Sequence, residues 1–306
     1  MKKIIVLGSI NMDLVISSPY MPAAGETIMG SGFMTNPGGK GANQAAACGS
    51  MGAEVYMCGC VGGDVFGEKL IGNLKSFGVN CEFVRTVDET SSGIAVIIIA
   101  ESDNRIILDS GANARVSPGD VDRALEIAGE GDILMTQLEI PIDTVIYALK
   151  KAKQKGMITI LNPAPANMAV EPAFEYADYF IPNESELELF TGEKVLQLAA
   201  KKLFEAGVRN LIVTLGSKGS VFVDRNDLTY VKSYKVKAVD TTAAGDTYCG
   251  TFAFELSRGK PPLQAMDMAS AASALAVTKK GAQMSIPTYR QVTEFMKSYC
   301  EKDAGD

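Results

Sequence analysis

Apolar runs alternate with amphipathic, helix-like stretches along most of the chain. The strand-like runs cover residues 3–8, 55–61, 133–136, 158–162, 179–182 and 211–215. Helix-like stretches lie near residues 41–51, 66–77, 117–128, 142–155, 184–191 and 195–206. This order is typical of a mostly parallel sheet with helices on both faces, so we predict a three-layer α/β fold. Short strands at 221–224 and 229–232, and helices near 245–258, 262–279 and 288–299, complete the predicted domain.

Two segments interrupt the alternation. Residues from about 12 to 35 and from about 81 to 110 show short strand patterns with turns and almost no helical pattern. We therefore expect one domain, residues 1–306, whose core carries a small β-sheet lid built from these two segments. An isolated sheet of this kind has an exposed apolar face, which a second copy of the chain could cover. The expected assembly is a homodimer formed through the lid.

Composition and charge narrow the classes of function. The chain has 306 residues, 47% of them hydrophobic, and a formal net charge of −7. These values fit a globular protein with a sizeable core, and the acidic balance disfavours nucleic acid as a partner. No apolar stretch approaches the roughly 20 residues that span a bilayer, and the run after Met1 is too short for a signal peptide. We expect a cytoplasmic protein with no membrane partner.

Histidine is absent from the chain, and its absence limits the chemistry. It excludes a Ser-His-Asp triad, a Cys-His pair and a histidine-based zinc site. A general base must then be Asp, Glu, Lys or Tyr, and any metal should be a hard cation such as Mg²⁺ or K⁺. The six cysteines include no CxxC pair, so we interpret them as buried thiols of a reducing compartment.

The first candidate motif is the glycine-rich segment 36–43, with the sequence NPGGKGAN. It is not a Walker A loop, because Lys40 is followed by glycine instead of serine or threonine. The glycines let the backbone approach a ligand closely, and Lys40 and Asn43 add directed hydrogen bonds. By itself the pattern describes a glycine turn at the start of a helix equally well.

The second motif is the segment 240–247, DTTAAGDT, which leads directly into an apolar helix. Free backbone N–H groups at a helix start, with the helix dipole behind them, form an anion site. Asp246 lies where a phosphate would arrive, which suits a carboxylate that accepts a proton. The alternative is an ordinary acidic residue in the first turn of a helix.

Further polar residues follow predicted strands. Asn183 and Glu186 form a capping-box pattern, but Glu186 would also lie at the carboxyl edge of the sheet, where it could hold Mg²⁺ through water. The segment 214–219, TLGSKG, is a glycine-spaced turn that could hold a nucleotide or simply reverse the chain. Asn11, Asp13 and Glu139 also follow strands and would point into the same crevice, although each could be a cap or turn residue.

The order of these motifs resembles the ribokinase (PfkB) family of carbohydrate kinases over almost the whole chain. Segments 38–43 and 240–247 match the two family signatures. Further matching segments are 8–13, 25–27, 137–139, 162–166 and 280–282. The resemblance implies a ribokinase-like, Rossmann-like fold and an enzyme that transfers the γ-phosphoryl group of ATP to the primary O5 hydroxyl of D-ribose.

The resemblance also implies a role for each matched position. Asp246 would be the general base, and the backbone of Ala243, Ala244 and Gly245 would form the anion hole. The sugar would contact Asn11, Asp13, Gly39, Lys40, Gly41, Asn43, Glu139 and Asp246. ATP would contact Asn183, Thr214, Leu215, Gly216, Ser217, Lys218, Gly219, Gly245 and Ser270. Glu186 would act on Mg²⁺ through water, and an activating K⁺ would lie near Asp240, Thr242, Ala276, Lys279, Gly281 and Ser285.

Two departures and several alternatives remain at this point. The stretch between Gly192 and Gly207 is shorter than the family pattern, and Ser270 stands where some members carry a histidine near the adenine. The acceptor could instead be deoxyribose, fructose or a nucleoside, or the chain could be a catalytically silent sugar-binding relative. A P-loop or Rossmann nucleotide-binding module is disfavoured, because the chain has no Gly-Lys-Ser/Thr and no GxGxxG after its first strand.

Overall fold

The computed structural model describes residues 1–101, 103–224 and 227–303. The strands are β1 (Ile4–Leu7), β2 (Asn11–Ser17), β3 (Ser31–Gly38), β4 (Val55–Gly62), β5 (Asn80–Val87), β6 (Gly93–Ala100), β7 (Asp103–Asp109), β8 (Ile133–Thr136), β9 (Ile158–Leu161), β10 (Tyr179–Phe180), β11 (Asn210–Thr214), β12 (Ser220–Val223) and β13 (Leu228–Val231). The helices are α1 (Lys40–Ser50), α2 (Val65–Ser76), α3 (Pro118–Leu125), α4 (Ile142–Gln154), α5 (Glu184–Thr191), α6 (Leu196–Glu205), α7 (Ala244–Ser257), α8 (Pro262–Ala276) and α9 (Tyr289–Asp303). Short 3₁₀ turns cover Gly111–Arg115, Met168–Tyr176, Gly216–Lys218 and Gln283–Ser285.

A large sheet forms the centre of the molecule, in the order β13-β12-β11-β10-β9-β8-β1-β4-β5. Neighbouring strands from β11 through to β5 are parallel, and only β12 and β13 continue the sheet antiparallel. The chain leaves β1 towards β4 on one side and returns through β8 on the other. The point where strand order reverses is where open α/β sheets bind ligands, and here it lies between β1 and β8.

Alternate residues of the central strands enter two separate cores. On β1, Ile5 and Leu7 pack with α3, α4, α5 and α6, whereas Ile4 and Val6 pack with α1, α2, α7 and α8. Both sets are almost fully buried, as expected for a parallel strand covered on both faces. Burying a side chain of this size contributes about 1.5–3 kcal/mol. The predicted three-layer α/β fold is therefore confirmed.

Helices α1 and α7 approach each other unusually closely, and this contact positions the site. Alanines fill the facing side of α1, and a Cβ on Gly250 would lie 2.6 Å from the Cβ of Ala47. Because no side chain separates the two helices at Gly250, the side chains that begin α1 reach across to the start of α7. Replacing Gly250 by any larger residue would move the helices apart.

The small sheet has the strand order β3-β2-β6-β7. Its composition corrects part of the expected lid boundary, because β5 does not belong to it. β5 pairs with β4 in the large sheet, and Cys81 packs into the core beside α2. The sequence pattern marked 81–110 as strands but could not show that this stretch divides between two sheets. The first lid segment extends from Asn11 in β2 to Gly38 in β3.

Smaller features complete the comparison with the expectations. Helices α3 and α8 end at Leu125 and Ala276, before the predicted limits, and the turn Met168–Tyr176 had no counterpart in the pattern. The short 192–207 stretch contains a left-handed Gly192 and helix α6. All six cysteines are free; five are buried, and Cys300 is exposed. In the part of the chain that the structure describes, no helix has the length and apolar character needed to cross a membrane.

Candidate active site

A cleft of about 650 Å³ runs along the carboxyl edge of the large sheet. Lys40 and Asp246 lie at one end, and the turn that follows β11 lies at the other. Among the residues proposed from the sequence, those that line it are Lys40, Asn183, Glu186, Thr214, Gly216, Ser217, Gly219, Ala243, Ala244, Gly245, Asp246 and Ser270. Motifs separated by up to about 200 residues therefore meet in one cavity.

The first turn of α7 presents unpaired amides to this cleft. Ala243 precedes the helix with a left-handed φ of 59°, and the N–H of Ala244 donates to the carbonyl of Thr241. The N–H groups of Gly245 and Asp246 have no acceptor among the described residues. A Cβ on Gly245 would meet nothing within 4 Å, so the space in front of these amides is open. The helix start has the geometry of an anion-binding site.

The carboxylate of Asp246 is held beside these amides by two side chains of α1. Asn43 Nδ2 donates to Asp246 Oδ2 at 2.9 Å, and Gln44 Nε2 donates to Asp246 Oδ1 at 3.1 Å. Asp246 is only 7% exposed, so these bonds form largely away from water. Each oxygen keeps a lone pair for a further contact, which a substrate hydroxyl in the cleft could make.

The residues expected to bind the sugar gather where β1 and β8 end and β2 begins. Glu139 Oε2 accepts bonds from Ser9 Oγ at 2.5 Å and from the backbone N–H of Lys40 at 3.1 Å. Asn11 Oδ1 accepts a bond of 2.6 Å from Asn113, which is fully buried. These contacts fix two polar side chains next to Lys40 and Asp246. Neither Asn11 nor Glu139 lines the cleft itself.

Glycine is required at this corner because two backbone segments nearly touch. Gly39 has a φ of +87°, and a Cβ there would lie 2.7 Å from the backbone nitrogen of Asn11. A Cβ on Gly41 would lie 2.6 Å from the carbonyl carbon of Gly8. The glycine motif thus serves close approach of the loop to the end of β1, whereas the sequence analysis expected close approach to a ligand.

Like charges crowd this end of the cleft. Burial, together with the neighbouring carboxyl groups of Glu139 and Asp246, raises the pKa of Asp13 to about 7. Burial also lowers the pKa of Lys40, but the negative charges of Asp246, Glu139 and Glu186 outweigh it and raise the pKa overall. The Lys40 ammonium is therefore firmly protonated in the middle of the cluster. It offsets the repulsion among the carboxylates.

Glu186 forms the predicted helix cap and also lines the cleft at the carboxyl edge of the sheet. It forms the capping box, because its Oε2 accepts the N–H of Asn183 at 2.9 Å and its own N–H donates to Asn183 Oδ1 at 2.8 Å. It also lines the cleft, where burial raises the pKa of its carboxyl group. Residues 1–101, 103–224 and 227–303 contain no group of three or more metal-ligating acidic or cysteine side chains. A single carboxylate suits Mg²⁺ that takes its other ligands from phosphate and water.

The segments expected to surround K⁺ are joined by Asp240. Its Oδ1 accepts bonds from the N–H and the hydroxyl of Thr242, at 2.9 and 2.6 Å. Its Oδ2 accepts the N–H of Gly281 at 2.9 Å, which ties the loop before α7 to the loop after α8. Burial opposes ionisation of Asp240, but the bonds from Thr242 and Gly281 hold its pKa below the usual value. Ser285 follows Gly281 closely in the sequence and is fully buried. Its hydroxyl donates a hydrogen bond to the carbonyl of Ala282.

The far end of the cleft is the turn after β11. The N–H of Leu215 donates to the carbonyl of Gly219 at 2.8 Å, so the turn is closed. Leu215 and Lys218 do not line the cleft, and Lys218 lies 3.5 Å from Glu184 in an exposed ion pair. Ser270 does line it, and its buried hydroxyl has no partner among the described residues.

Sequence reasoning missed several polar residues that support the site. These residues are Gln44, Asn113, Gln137, Asn162 and Gln283. The first follows Asn43 directly within an alanine-rich helical stretch, which is an unusual place for a buried amide. Gln137 and Asn162 lie in the matching segments 137–139 and 162–166, but the sequence assigned them no role. Asn113 and Gln283 gave no signal, because their hydrogen-bond partners lie more than 90 residues away.

An anion site at a helix start, a buried carboxylate beside it and a pocket of polar groups define a phosphotransferase with a small alcohol acceptor. The family model for "pfkB family carbohydrate kinase" matches residues 1–289. A ribokinase from Haemophilus influenzae is 40% identical over 303 residues, which cover 97% of this chain and 99% of the relative. A deoxyribokinase from Salmonella typhi is 39% identical over 300 residues, covering 96% and 98%.

Solved structures agree. An Arabidopsis thaliana ribokinase complexed with ribose and ATP has a TM-score of 0.90 and 31% identity, and the match covers 97% of this chain and 99% of that one. A ribokinase from Thermotoga maritima has a TM-score of 0.89 and 39% identity, covering 97% and 100%. This chain belongs to the pfkB family of carbohydrate kinases. The resemblance seen in the sequence and the predicted enzyme class, an ATP-dependent sugar kinase, are both confirmed.

Proposed function

We propose that this kinase phosphorylates O5 of D-ribose to give ribose 5-phosphate, with Asp246 as the general base and the start of α7 as the anion hole. The observation that carries the proposal is the placement of the buried Asp246 carboxylate beside the unpaired amides of Gly245 and Asp246. Relatives named ribokinase at 40% identity, and the ribose and ATP complex of the Arabidopsis protein, support ribose as the acceptor and ATP as the donor.

The reaction requires alignment and charge stabilisation. As the O5–phosphorus bond forms, the bond from the γ-phosphorus to the β,γ-bridging oxygen breaks, the O5 proton moves to Asp246, and ADP leaves. General-base assistance of this kind contributes about 10²–10⁴-fold in rate. Each well-placed amide that receives the developing phosphoryl charge contributes about 3–4 kcal/mol.

The remaining site residues divide between the two substrates. Asn11, Asp13, Gly39, Lys40, Gly41, Asn43 and Glu139 would hold the sugar. Asn183, Ser270 and the turn Thr214 to Gly219 would hold ATP. Mg²⁺ near Glu186 would share the charge of the β and γ phosphates. A K⁺ ion would stabilise the loops that Asp240 joins.

The direct test is an ADP-release assay with ribose, Mg-ATP and K⁺. We expect Asp246→Asn to reduce kcat by about 10²–10⁴-fold, with the ribose dissociation constant changed only a few-fold. Asp143→Asn, also in the first turn of a helix but exposed, is the matched control and should remain active. Turnover of Asp246→Asn within a few-fold of wild type would show that the base is another group.

Deoxyribose is the second candidate acceptor, because the Salmonella deoxyribokinase is as similar as the ribokinases are. The same assay should compare kcat/KM for ribose, 2-deoxyribose, fructose and nucleosides. A preference for deoxyribose would keep the proposed base and anion hole and replace the substrate. No turnover with any of them would favour a silent sugar-binding protein.

The small sheet would close over the sugar and exclude water, which competes as a phosphoryl acceptor. We therefore expect ATP hydrolysis without sugar to be far slower than turnover with ribose, and comparable rates would contradict the closure. The sheet also exposes Phe33 and Ile107, at 65% and 66%. A second copy would cover them, so Ile107→Lys should shift the sedimentation coefficient towards a monomer, whereas Leu198→Lys on α6 should not.

A further inference from the structure

A chain of side-chain amides connects Asp246 to the end of the large sheet. Gln44 Nε2 donates both of its hydrogens, to Asp246 Oδ1 at 3.1 Å and to Asn162 Oδ1 at 3.0 Å. Its Oε1 accepts a bond of 2.6 Å from Gln137 Nε2. Asn162 Nδ2 in turn donates to the backbone carbonyl of Ile181 at 2.8 Å. Gln44 is fully buried, so these bonds account for its polar groups without water.

The chain allows only one orientation of the Gln44 amide. The carbonyl of Ile181 can only accept, so the nitrogen of Asn162 faces it and the oxygen of Asn162 faces Gln44. Gln137 supplies an N–H on the opposite side of the Gln44 amide, where only its oxygen can accept. The orientation of Gln44 is thus determined by groups other than Asp246, before Asp246 is considered.

From this geometry we propose that Gln44 is a positioning residue for the reaction, holding the Asp246 carboxylate in the rotamer that accepts the proton of the sugar hydroxyl. The inference rests on the proposed role of Asp246. Asn43 fixes Oδ2, and without Gln44 the other oxygen, Oδ1, loses its donor and the carboxylate can rotate. A displacement of about 1 Å at a reacting group can reduce turnover by about 10²-fold.

A purely structural role for Gln44 makes a different prediction. If its amide only fills the space between α1 and the sheet, an unbranched apolar side chain of similar length should preserve both folding and turnover. Gln44→Met provides that side chain without an N–H group. Gln44→Glu keeps the shape and places a second carboxylate next to Asp246. Gln154→Glu, on an exposed position at the end of α4, is the matched control.

The experiment measures kcat as a function of pH and the ribose dissociation constant by calorimetry. For Gln44→Met we expect kcat to fall about 10- to 100-fold, with the ribose dissociation constant within about threefold of wild type. For Gln44→Glu we expect the acidic limb of kcat to move to higher pH by about one unit or more, because a neighbouring negative charge opposes ionisation. In wild type and in Gln44→Met the charged and titratable groups facing Asp246 are Asp13, Lys40, Glu139, Glu186 and Cys249, and Gln44→Glu adds one carboxyl group to this set.

The outcomes separate this inference from the proposed function. If Asp246→Asn is inactive while both Gln44 variants retain the kcat and pH limb of wild type, the positioning role is wrong and the base assignment stands. A loss confined to ribose binding, with kcat unchanged, also overturns it. If Asp246→Asn itself turns over normally, the proposed function fails first. Should Gln44→Met fail to fold, as judged by its thermal transition, the pH limb of Gln44→Glu decides.

Discussion

The crowding of carboxyl groups around Asp13 predicts a site that destabilises the protein as pH rises. Burial and the charges of Glu139 and Asp246 raise the pKa of Asp13 from 3.8 to about 7. The folded protein therefore keeps a proton that the unfolded chain has lost. The stabilising contribution is complete below about pH 4 and decreases as pH rises through about 7. Replacing Asp13 by Asn removes this dependence.

The magnitude follows from the shift. Between pH 5 and pH 7 the unfolded chain has lost the Asp13 proton and the folded protein still holds it. Each of these two pH units therefore lowers the free energy of unfolding by about 1.4 kcal/mol. The upper limit is then about 3 kcal/mol, and solvent relaxation around a half-buried side chain reduces it to about 1–2 kcal/mol. We expect Asp13→Asn to gain this much stability relative to wild type between pH 5 and pH 8. It should also weaken ribose binding, because the carboxylate is a proposed sugar contact.

Urea unfolding at pH 5, 6, 7 and 8 measures the effect as the difference in free energy of unfolding between variant and wild type. Asp143→Asn, which alters an exposed carboxylate on α4, should show a constant difference across this range. A constant difference for Asp13→Asn, or one that turns against the variant as pH rises, would refute the reasoning. Such a result would mean that the cluster is already neutralised, with Lys40 as the nearest candidate.

Three further predictions concern contacts around the site. Gly39→Ala should lower the free energy of unfolding by about 1–3 kcal/mol and raise the KM for the sugar. The reason is that Gly39 has a φ of +87° and lies against the backbone of Asn11. Thermal unfolding measures the first effect and steady-state kinetics the second. Asp120→Ala should destabilise the protein by about 1–3 kcal/mol, since it removes the carboxylate 2.7 Å from the partly exposed Arg85 and the acceptor of the Ser117 capping bonds; urea unfolding measures it. Asp64 accepts the N–H groups of Gly67 and Ser92, which lower its pKa against the effect of burial. Its contribution is present above about pH 4 and lost as pH falls below it, so the stability deficit of Asp64→Asn should shrink in acid melts.

Much of the fold was visible in the sequence because burial and strand type are local properties. β1 and β8 are buried on both faces and therefore appear as continuous apolar runs. The glycine-rich segment and the small residues before α7 are equally local, because close approach and an open anion site require residues without bulky side chains. The position of Asp246 in the first turn of a helix followed from the same segment.

The assignment of strands to sheets was not visible. β5 and β6 both have strand-like sequences, yet β5 pairs with β4 and β6 pairs with β2. Pairing depends on partners that are distant in sequence, and alternation only shows that one face of each strand is covered. The raised pKa of Asp13 could not be predicted from the sequence for the same reason, because it depends on carboxyl groups from two other parts of the chain.

The supporting amides show why the proposed base can be found from the sequence while the groups around it cannot. Asp246 can be recognised from its position at the start of a helix. Its carboxylate, however, accepts a hydrogen bond from Gln44, and the side chain of Gln44 is itself held by hydrogen bonds to Asn162 and Gln137. Each of these residues alone has the pattern of an ordinary buried or turn residue. Only the close packing of α1 against α7 at Gly250 brings the donor to the carboxylate. A substitution that widens this packing should therefore impair turnover without altering any residue that contacts the sugar.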